Sequence, residues 1–518
     1  MRPFEGADST FKWGSITYQD FADAVFAAAA HWRKELSEQG LQPGDTVGMW
    51  LKGSHWTDLA HIYAVSAAGY VPEVFGQAFS ALFVHDLLEL HHAQVVIVDD
   101  SFKSLVADFR LLGSAIGVLS LPTLASLSPA QELSALLPDV QGDDVAMIFH
   151  TSGTTGGRPK PVPQTHRWLV AEAEVTWKGV IQVHPDGQHV FNNIGSFSSI
   201  GAASCVTFMA WSGACLTQSS GREITPDEFL GMVRECGLNF LLQYAPWMAK
   251  LIKAARDRAD IFDALRGLRQ IAYTGATLDP ADEKWALEHG VPLTPMYANT
   301  ECGPLMVARL SSGNSYLQPI AHAKGKLVPA GGEGKASATG ALQLYDFYIG
   351  AESATCPHTS IRNRPDGHVT GDLFEEVEPG CYVFRGRSDD WIRTGGNPAF
   401  CDTKAIEENV MKTCGDLVHS CVVIGHQRVC PLLVVELLAS GIDAADDPTH
   451  TAVRNEILER TAAFNSRLFP HEKITNPRCI LVVPEGSLPR TTEKGNVRRK
   501  ATEQQFQDKV DAIYASLV

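Results

Sequence analysis

The sequence predicts an α/β protein with a large N-terminal domain of mostly parallel sheets flanked by helices and a small α+β domain at the C-terminus. Three observations predict it. At 518 residues the chain exceeds what one hydrophobic core usually fills. Short apolar runs with strand character alternate with helical periodicity along most of its length. Finally, Arg385-Gly386-Arg387-Ser388-Asp389-Asp390 is polar and glycine-containing, and a compact α+β pattern of small-domain size follows it. The boundary is expected near 386–396, dividing the chain into 1–388 and 389–518.

The elements follow in order. Residues 17–36 carry Phe21, Val25, Ala28, Ala29 and Trp32 at helical spacing, with Thr17 as the cap. Gly40 and Pro43-Gly44-Asp45 turn the chain into a buried strand, Val47–Leu51, and a helix over Trp56–Ala68 ends at Gly69. Val95–Val98 reads as another strand. Thr225-Pro226-Asp227-Glu228 has the order cap, proline, acids that suits a helix start, and Gly237 stops that helix. Asn239–Gln243 reads as a strand and Trp247–Ala255 as a helix. In the C-terminal part, Cys421–Ile424, Leu432–Leu438 and Cys479–Val483 read as strands, and Val453–Leu468 as a helix.

Composition narrows the function classes. A formal net charge of −16 argues against a nucleic-acid partner and against a basic membrane patch. An acidic protein that binds an anion must gather a few cations at the site, so basic residues in glycine-rich loops are informative. The eleven cysteines form no C-x-x-C pair and read as small buried hydrophobes of a reducing compartment. The start lacks an apolar signal core, and no run of about 20 apolar residues occurs. A cytoplasmic location is expected.

The strongest local signal is His150-Thr151-Ser152-Gly153-Thr154-Thr155-Gly156-Gly157-Arg158-Pro159-Lys160, after the strand-like Val145–Phe149. Hydroxyls and glycines let backbone N–H groups and side chains converge on phosphate oxygens, and Lys160 adds a point charge. It is not a Walker loop, because no Gly-Lys-Ser/Thr stands at the required distance. A polar surface loop is the plainer reading of such a run taken alone.

This run resembles the phosphate loop of the adenylate-forming superfamily, which includes acyl-CoA synthetases, luciferases and the adenylation domains of nonribosomal peptide synthetases. The resemblance extends from about Thr17 to Ala501, with the motifs in the same order. In its details, especially His150 and the stretch Gly395–Glu408, it is most similar to the adenylation domains of fungal nonribosomal-synthetase-like carboxylic acid reductases. It implies ATP and Mg²⁺ as cofactors and a phosphopantetheine thiol, on a carrier protein domain or CoA, as acyl acceptor. Tyr297-Ala298-Asn299-Thr300-Glu301 resembles the aromatic-x-x-Thr-Glu motif: Tyr297 would pack on adenine, Thr300 touch the α-phosphate, and Glu301 help hold the metal. Gly275-Ala276-Thr277 resembles the adenine-contacting turn. Thr370-Gly371-Asp372 resembles the motif whose carboxylate accepts from both ribose hydroxyls, while Arg387 matches the arginine near ribose and phosphates. Asp389 matches the hinge. Leu488-Pro489-Arg490-Thr491-Thr492-Glu493-Lys494-Gly495-Asn496 resembles the catalytic-lysine loop, but Lys494 precedes Gly495 where the common order is Gly-Lys. Lys494 is assigned and Lys500 is the alternative.

The implied chemistry is activation of a carboxylic acid to acyl-AMP with pyrophosphate release, then transfer to the thiol after the C-terminal domain swings about Asp389. Gly395-Gly396 would leave room for the thiol. By analogy, Asn193–Gly201, Gln243–Trp247 and Tyr273–Gly275 line the acid pocket. Ser199 stands where many relatives carry histidine, and Tyr244 and Tyr273 supply aromatic walls. Aromatic or apolar acids are favoured over amino acids. No carrier attachment motif or reductase nucleotide motif lies between Lys494 and Val518, so the chain is expected to be either one excised domain of a longer reductase or a free-standing ligase. A CoA ligase is the alternative function, a silent nucleotide-binding module comes further behind, and a luciferase-type oxygenase comes last.

Overall fold

The computed structural model describes residues 1–6, 11–77, 79–111, 115–129, 137–151, 159–181, 187–221, 223–310, 313–330, 343–388, 391–394, 400–438, 447–490 and 497–517. The first expected helix runs Tyr18–Glu38. The Thr17 hydroxyl accepts from the Asp20 N–H while the Asp20 carboxylate accepts from the Thr17 N–H, a reciprocal cap. Its inner face buries Val25, Ala28, Ala29, Trp32 and Leu36. The helix expected after Thr225 spans Pro226–Cys236 and ends in left-handed Gly237 (φ 71°).

Six strands form the first sheet: β1 (Thr46–Trp50), β2 (Val71–Phe75), β3 (Val95–Val98), β4 (Gly117–Ser120), β5 (Val145–His150) and β6 (Pro161–Thr165), in the order β4-β3-β1-β2-β5-β6. Neighbours are parallel except β5 and β6, an antiparallel hairpin. The second sheet holds eleven strands. Its parallel half is β7 (Val190–Asn192), β8 (Cys215–Thr217), β9 (Phe240–Tyr244), β10 (Gln270–Thr274) and β11 (Leu293–Asn299). The antiparallel half is β12 (Gly303–Ala308), β13 (Leu317–Pro319), β14 (Gly325–Pro329), β15 (Leu344–Gly350), β16 (Gly367–Glu378) and β17 (Cys381–Arg387). The order β14-β15-β16-β17-β13-β12-β11-β10-β9-β7-β8 brings β16 and β17 to the same sheet as β11.

Strand alternation divides the cores. Phe240 and Leu242 of β9 and Ala272 of β10 join Val47, Met49, Phe191 and Phe208 in the largest cluster, which unites the two sheets. Leu241, Ile271 and Tyr273 face the other way, onto Phe229, Met248, Leu251 and Leu265 of the covering helices. Each fully buried phenylalanine here contributes on the order of 1.5–3 kcal/mol.

Beyond residue 390 come β18 (Trp391–Arg393) paired with β19 (Phe400–Asp402), then β20 (Val418–Ile424), β21 (Leu432–Leu437) and β22 (Ile480–Val483). Helices Thr403–Cys414 and Asp447–Asn465 pack on this three-stranded sheet through Ile406, Val410, Val453 and Ile457. The forecast Cys421–Ile424 starts three residues late, since Val418–Ser420 carries the weaker apolar pattern, while Leu432–Leu438 and Cys479–Val483 each run one residue too long. All eleven cysteines are free. Among the described residues no helix is long and apolar enough to cross a membrane.

Candidate active site

The segments singled out in the sequence leave the carboxyl ends of parallel strands. Thr151 follows β5, Asn193–Ser199 follows β7, Tyr244 ends β9, Gly275 follows β10 and Thr300 follows β11. In open α/β sheets the crevice outside those ends is where ligands bind.

The phosphate segment joins β5 to β6, with His150 opposite Pro161. The Thr151 N–H donates to the Lys160 carbonyl (3.0 Å), and the Lys160 N–H donates to the Thr151 hydroxyl (3.1 Å). Lys160 is exposed. Ser152, Gly153, Thr154, Thr155 and Gly156 lie outside the described residues. Buried Gln164, further along β6, donates to the Thr300 carbonyl (2.7 Å). One side chain thus ties the phosphate hairpin to the Thr300–Glu301 turn.

That turn is linked in its own right to Asp372. The Tyr297 hydroxyl donates to the Asp372 carboxylate (2.5 Å), and Arg387, directly opposite Asp372 in the β16–β17 ladder, approaches it at 3.2 Å. Asp372 is buried. Burial pushes its carboxyl up to about 6 against the pull of Arg387 and Tyr297, with the charges of Asp346 and Glu301 adding to the rise. Burial and the adjacent carboxylate in turn push the Tyr297 phenol well above its ordinary value. The Tyr297 ring sits edge-on to Phe374 (4.9 Å) and parallel to Phe384 (6.2 Å). Gly275-Ala276-Thr277 forms an exposed turn, and Gly275 adopts φ 85°, which a side chain would resist.

Mg²⁺ suits this donor set. It favours hard oxygens, few protein carboxylates and the phosphates of its substrate. Glu301 is half-buried at the turn and close enough to Asp372 to raise its pKa. Among the described residues no cluster of three metal-binding side chains occurs, so a metal here would depend on nucleotide oxygens for most of its shell.

Around the acid segment, Tyr244 fills the space between three backbones. A Cβ at Gly195 would lie 3.0 Å from its ring, one at Gly275 2.9 Å, and one at Gly201 3.9 Å from its hydroxyl. Trp247 stands edge-on to it (5.4 Å). Ser199 is the N-cap of the helix Ile200–Ser212, two residues before Gly201. Tyr273 is not gathered with them. It occupies the opposite phase of β10, buried against the helical layer with its hydroxyl bonded to Glu283. Thr274, opposite Tyr244 in the β9–β10 register, is the residue on the other face.

Lys494, Asp389 and Gly395-Gly396 lie outside the described residues. The residues flanking the Lys494 segment are tied down. Fully buried Glu436 accepts from the Leu488 N–H (2.7 Å) and pairs with Arg490, while Arg490 bridges Val497 and the Arg498 N–H donates to the Pro489 carbonyl (2.8 Å).

Two buried acids escaped the sequence reading. Glu73 contacts both His150 and His91. Glu172, in a π-helical turn, is pushed up to about 8 by burial; a Cβ on Gly303, two residues past Glu301, would lie 2.4 Å from its carboxylate. The only sequence signal for either is an acid inside an apolar run, as in Val71-Pro72-Glu73-Val74-Phe75.

Residues 5–341 match the family model of the AMP-binding enzyme, and residues 401–518 match that of the AMP-binding enzyme C-terminal domain. The chain is 31% identical over 501 residues to the AMP-binding domain-containing enzyme iboA of Amanita muscaria (strain Koide BX008), covering 94% of each. It is 26% identical to the adenylate-forming reductase Nps11 of Serpula lacrymans var. lacrymans, covering 88% of this chain but 42% of that one, so it spans under half of the reductase's length. ATP-bound MatB from Rhodopseudomonas palustris superposes with a TM-score of 0.69 over 96% of this chain and 94% of its own. At 18% identity that likeness is one of fold.

Proposed function

The chain belongs to the AMP-binding enzyme family and is an adenylate-forming enzyme, and from that premise we propose that it activates a small aromatic or apolar carboxylic acid as acyl-AMP and passes the acyl group to a pantetheine thiol. The observation that carries this reading is the Gln164–Thr300 hydrogen bond, which ties β6, the strand that follows Lys160, to the turn after Tyr297, whose hydroxyl bonds Asp372 beside Arg387. In this reading Lys160 serves the phosphates, and Asp372, with Arg387 beside it, serves the ribose hydroxyls.

A carboxylate is a poor electrophile because its charge is delocalised. Attack of its oxygen on the ATP α-phosphorus expels pyrophosphate and makes a mixed anhydride with AMP as leaving group. Three anions must approach one another, so the largest catalytic contribution is electrostatic. In this reading Asp372 fixes the ribose, Tyr297 and the Gly275–Thr277 turn border the base, and Thr300 contacts the α-phosphate. Lys160 holds the distal phosphates, and Lys494 neutralises charge growing at the reacting phosphorus. Mg²⁺, held through Glu301, would screen the triphosphate oxygens.

The proposed domains are 1–388, which binds ATP and acid, and 389–518, which brings Lys494. A swing at Asp389 would withdraw Lys494 and admit the thiol past Gly395-Gly396. A carrier-bound thiol is the acceptor that the resemblance to fungal nonribosomal-synthetase-like reductases implies. Tyr244 and Trp247, beside three glycines, support a short aromatic or apolar acid.

The test is a pyrophosphate-release screen over aromatic, aliphatic and amino acids, repeated with CoA and with a phosphopantetheinylated carrier protein. Release with small aromatic or apolar acids and acyl transfer to the carrier are expected. Acyl-CoA formation would instead identify a CoA ligase, and no release with any acid would identify a silent nucleotide-binding module.

A further inference from the structure

We propose that Glu73 is a positioning residue that acts through His150 on the Thr151–Lys160 pair, and so sets where the Lys160 ammonium meets the triphosphate. The inference rests on the reading of Lys160 as a phosphate-binding cation.

Glu73 sits in β2 with no exposure to solvent, opposite Ile148 of β5. Each of its carboxylate oxygens meets one imidazole: Oε1 lies 2.9 Å from His150 Nε2, and Oε2 lies 2.9 Å from His91 Nδ1. Burial alone would push the Glu73 carboxyl up, but the two histidines outweigh it and hold it below the usual carboxylate range. His150 Nδ1 is 3.1 Å from the Val74 carbonyl. With a carboxylate at Nε2 and a backbone carbonyl at Nδ1, the ring is held at its two ends. Its faces are fixed as well. Phe75 stacks on it at 4.8 Å and Phe79 meets it at 5.2 Å.

His150 is the last residue of β5, and the next residue, Thr151, holds the Lys160 backbone through both its N–H and its hydroxyl. A tilt of the strand end at His150 therefore carries Lys160 with it. Sheet stability does not require this arrangement, because an apolar pair of similar volume stabilises a buried site as well as an ion pair does. What the Glu73–His150 pair adds is one fixed orientation, at the point where β5 leaves the sheet for the phosphate hairpin.

The experiment compares His150→Phe, Glu73→Gln and the double variant with the unaltered chain. His150→Phe keeps a ring on Phe75 but removes both hydrogen bonds; Glu73→Gln keeps the shape and removes the charge. ATP–pyrophosphate exchange is measured with the acid giving most release in the screen, with Lys160→Ala alongside and a thermal melt of each variant. The expected result is a roughly tenfold rise in KM for ATP in each single variant, on the scale of a displaced positioning contact. KM for the acid should stay within about twofold and the double variant should be no worse than either single, because the two residues act through each other. The inference is overturned if KM for ATP is unchanged in both singles while Lys160→Ala raises it. Parallel loss of melting temperature and of both KM values overturns it too, in favour of a structural role. If Lys160→Ala itself leaves KM for ATP unchanged, the reading of Lys160 falls, and the inference falls with it.

Discussion

Replacing Asp372 by Asn removes one charge and leaves a side chain of the same size. In the structure the carboxylate accepts from the Tyr297 hydroxyl at 2.5 Å and faces Arg387 at 3.2 Å, and in the proposed complex it also accepts from two ribose hydroxyls. An amide keeps one acceptor oxygen but turns an NH₂ donor toward donors. A charge-assisted hydrogen bond contributes roughly 1.5–3 kcal/mol. Losing one without replacement should raise KM for ATP about ten- to hundredfold, since about 1.4 kcal/mol is tenfold. The unaltered enzyme should show a matching pH effect. Its carboxyl is raised to about 6, and the ionised form is the one that binds ribose, so affinity is complete well above pH 6 and lost as pH falls through it. Between pH 7 and pH 5 KM for ATP should climb roughly tenfold, following the ionised fraction. The assay is ATP–pyrophosphate exchange from pH 5 to 8 for both proteins. A KM in Asp372→Asn within twofold of the parent, or a parent KM flat from pH 7 to 5, would refute the reasoning.

Tyr297→Phe deletes the hydroxyl that holds Asp372 ionised, so the acid limb of KM for ATP should move to higher pH; an unmoved limb in the same assay counts against that bond. Tyr244→Ala opens the space between Gly195, Gly201 and Gly275, and pyrophosphate release should extend to acids one ring larger, whereas an unchanged acid profile would remove Tyr244 from the pocket. Glu436→Ala removes the buried acceptor of the Leu488 N–H and one partner of Arg490, which should cost roughly 1.5–3 kcal/mol. That lowers the melting transition by several degrees, and an unshifted melt would contradict it. Asp389→Pro restricts φ at the proposed pivot, so pyrophosphate exchange should persist while acyl transfer to thiol fails; equal loss of both half-reactions argues against a hinge.

Much of this was legible in the sequence because the informative features are local. Thr17 and Thr225 cap their helices as their neighbours require, and Gly237 ends one as its lack of a Cβ permits. The phosphate run, the Tyr297–Glu301 run and Asp372 stand in a recognisable order, and the structure joins the described parts of all three. The antiparallel half of the large sheet was not legible, since β12–β17 are irregular in polarity and pair over long distances. The facing of Tyr273 was not legible for a different reason. Two adjacent strand residues, Tyr273 and Thr274, point to opposite faces, and only the packing of the helical layer decides which face is the core. The Glu73–His150 contact joins β2 to the end of β5, and neither residue's local sequence specifies the other.

In the proposed reaction the acid's own oxygen attacks the α-phosphorus of ATP. The most direct measurement uses the acid selected by the screen with ¹⁸O in its carboxylate, ATP, and hydroxylamine to capture the product, followed by mass analysis of AMP and of orthophosphate. One ¹⁸O in AMP is the predicted result. ADP in place of AMP, with ¹⁸O in orthophosphate, would mean attack at the γ-phosphorus and would overturn the proposed chemistry.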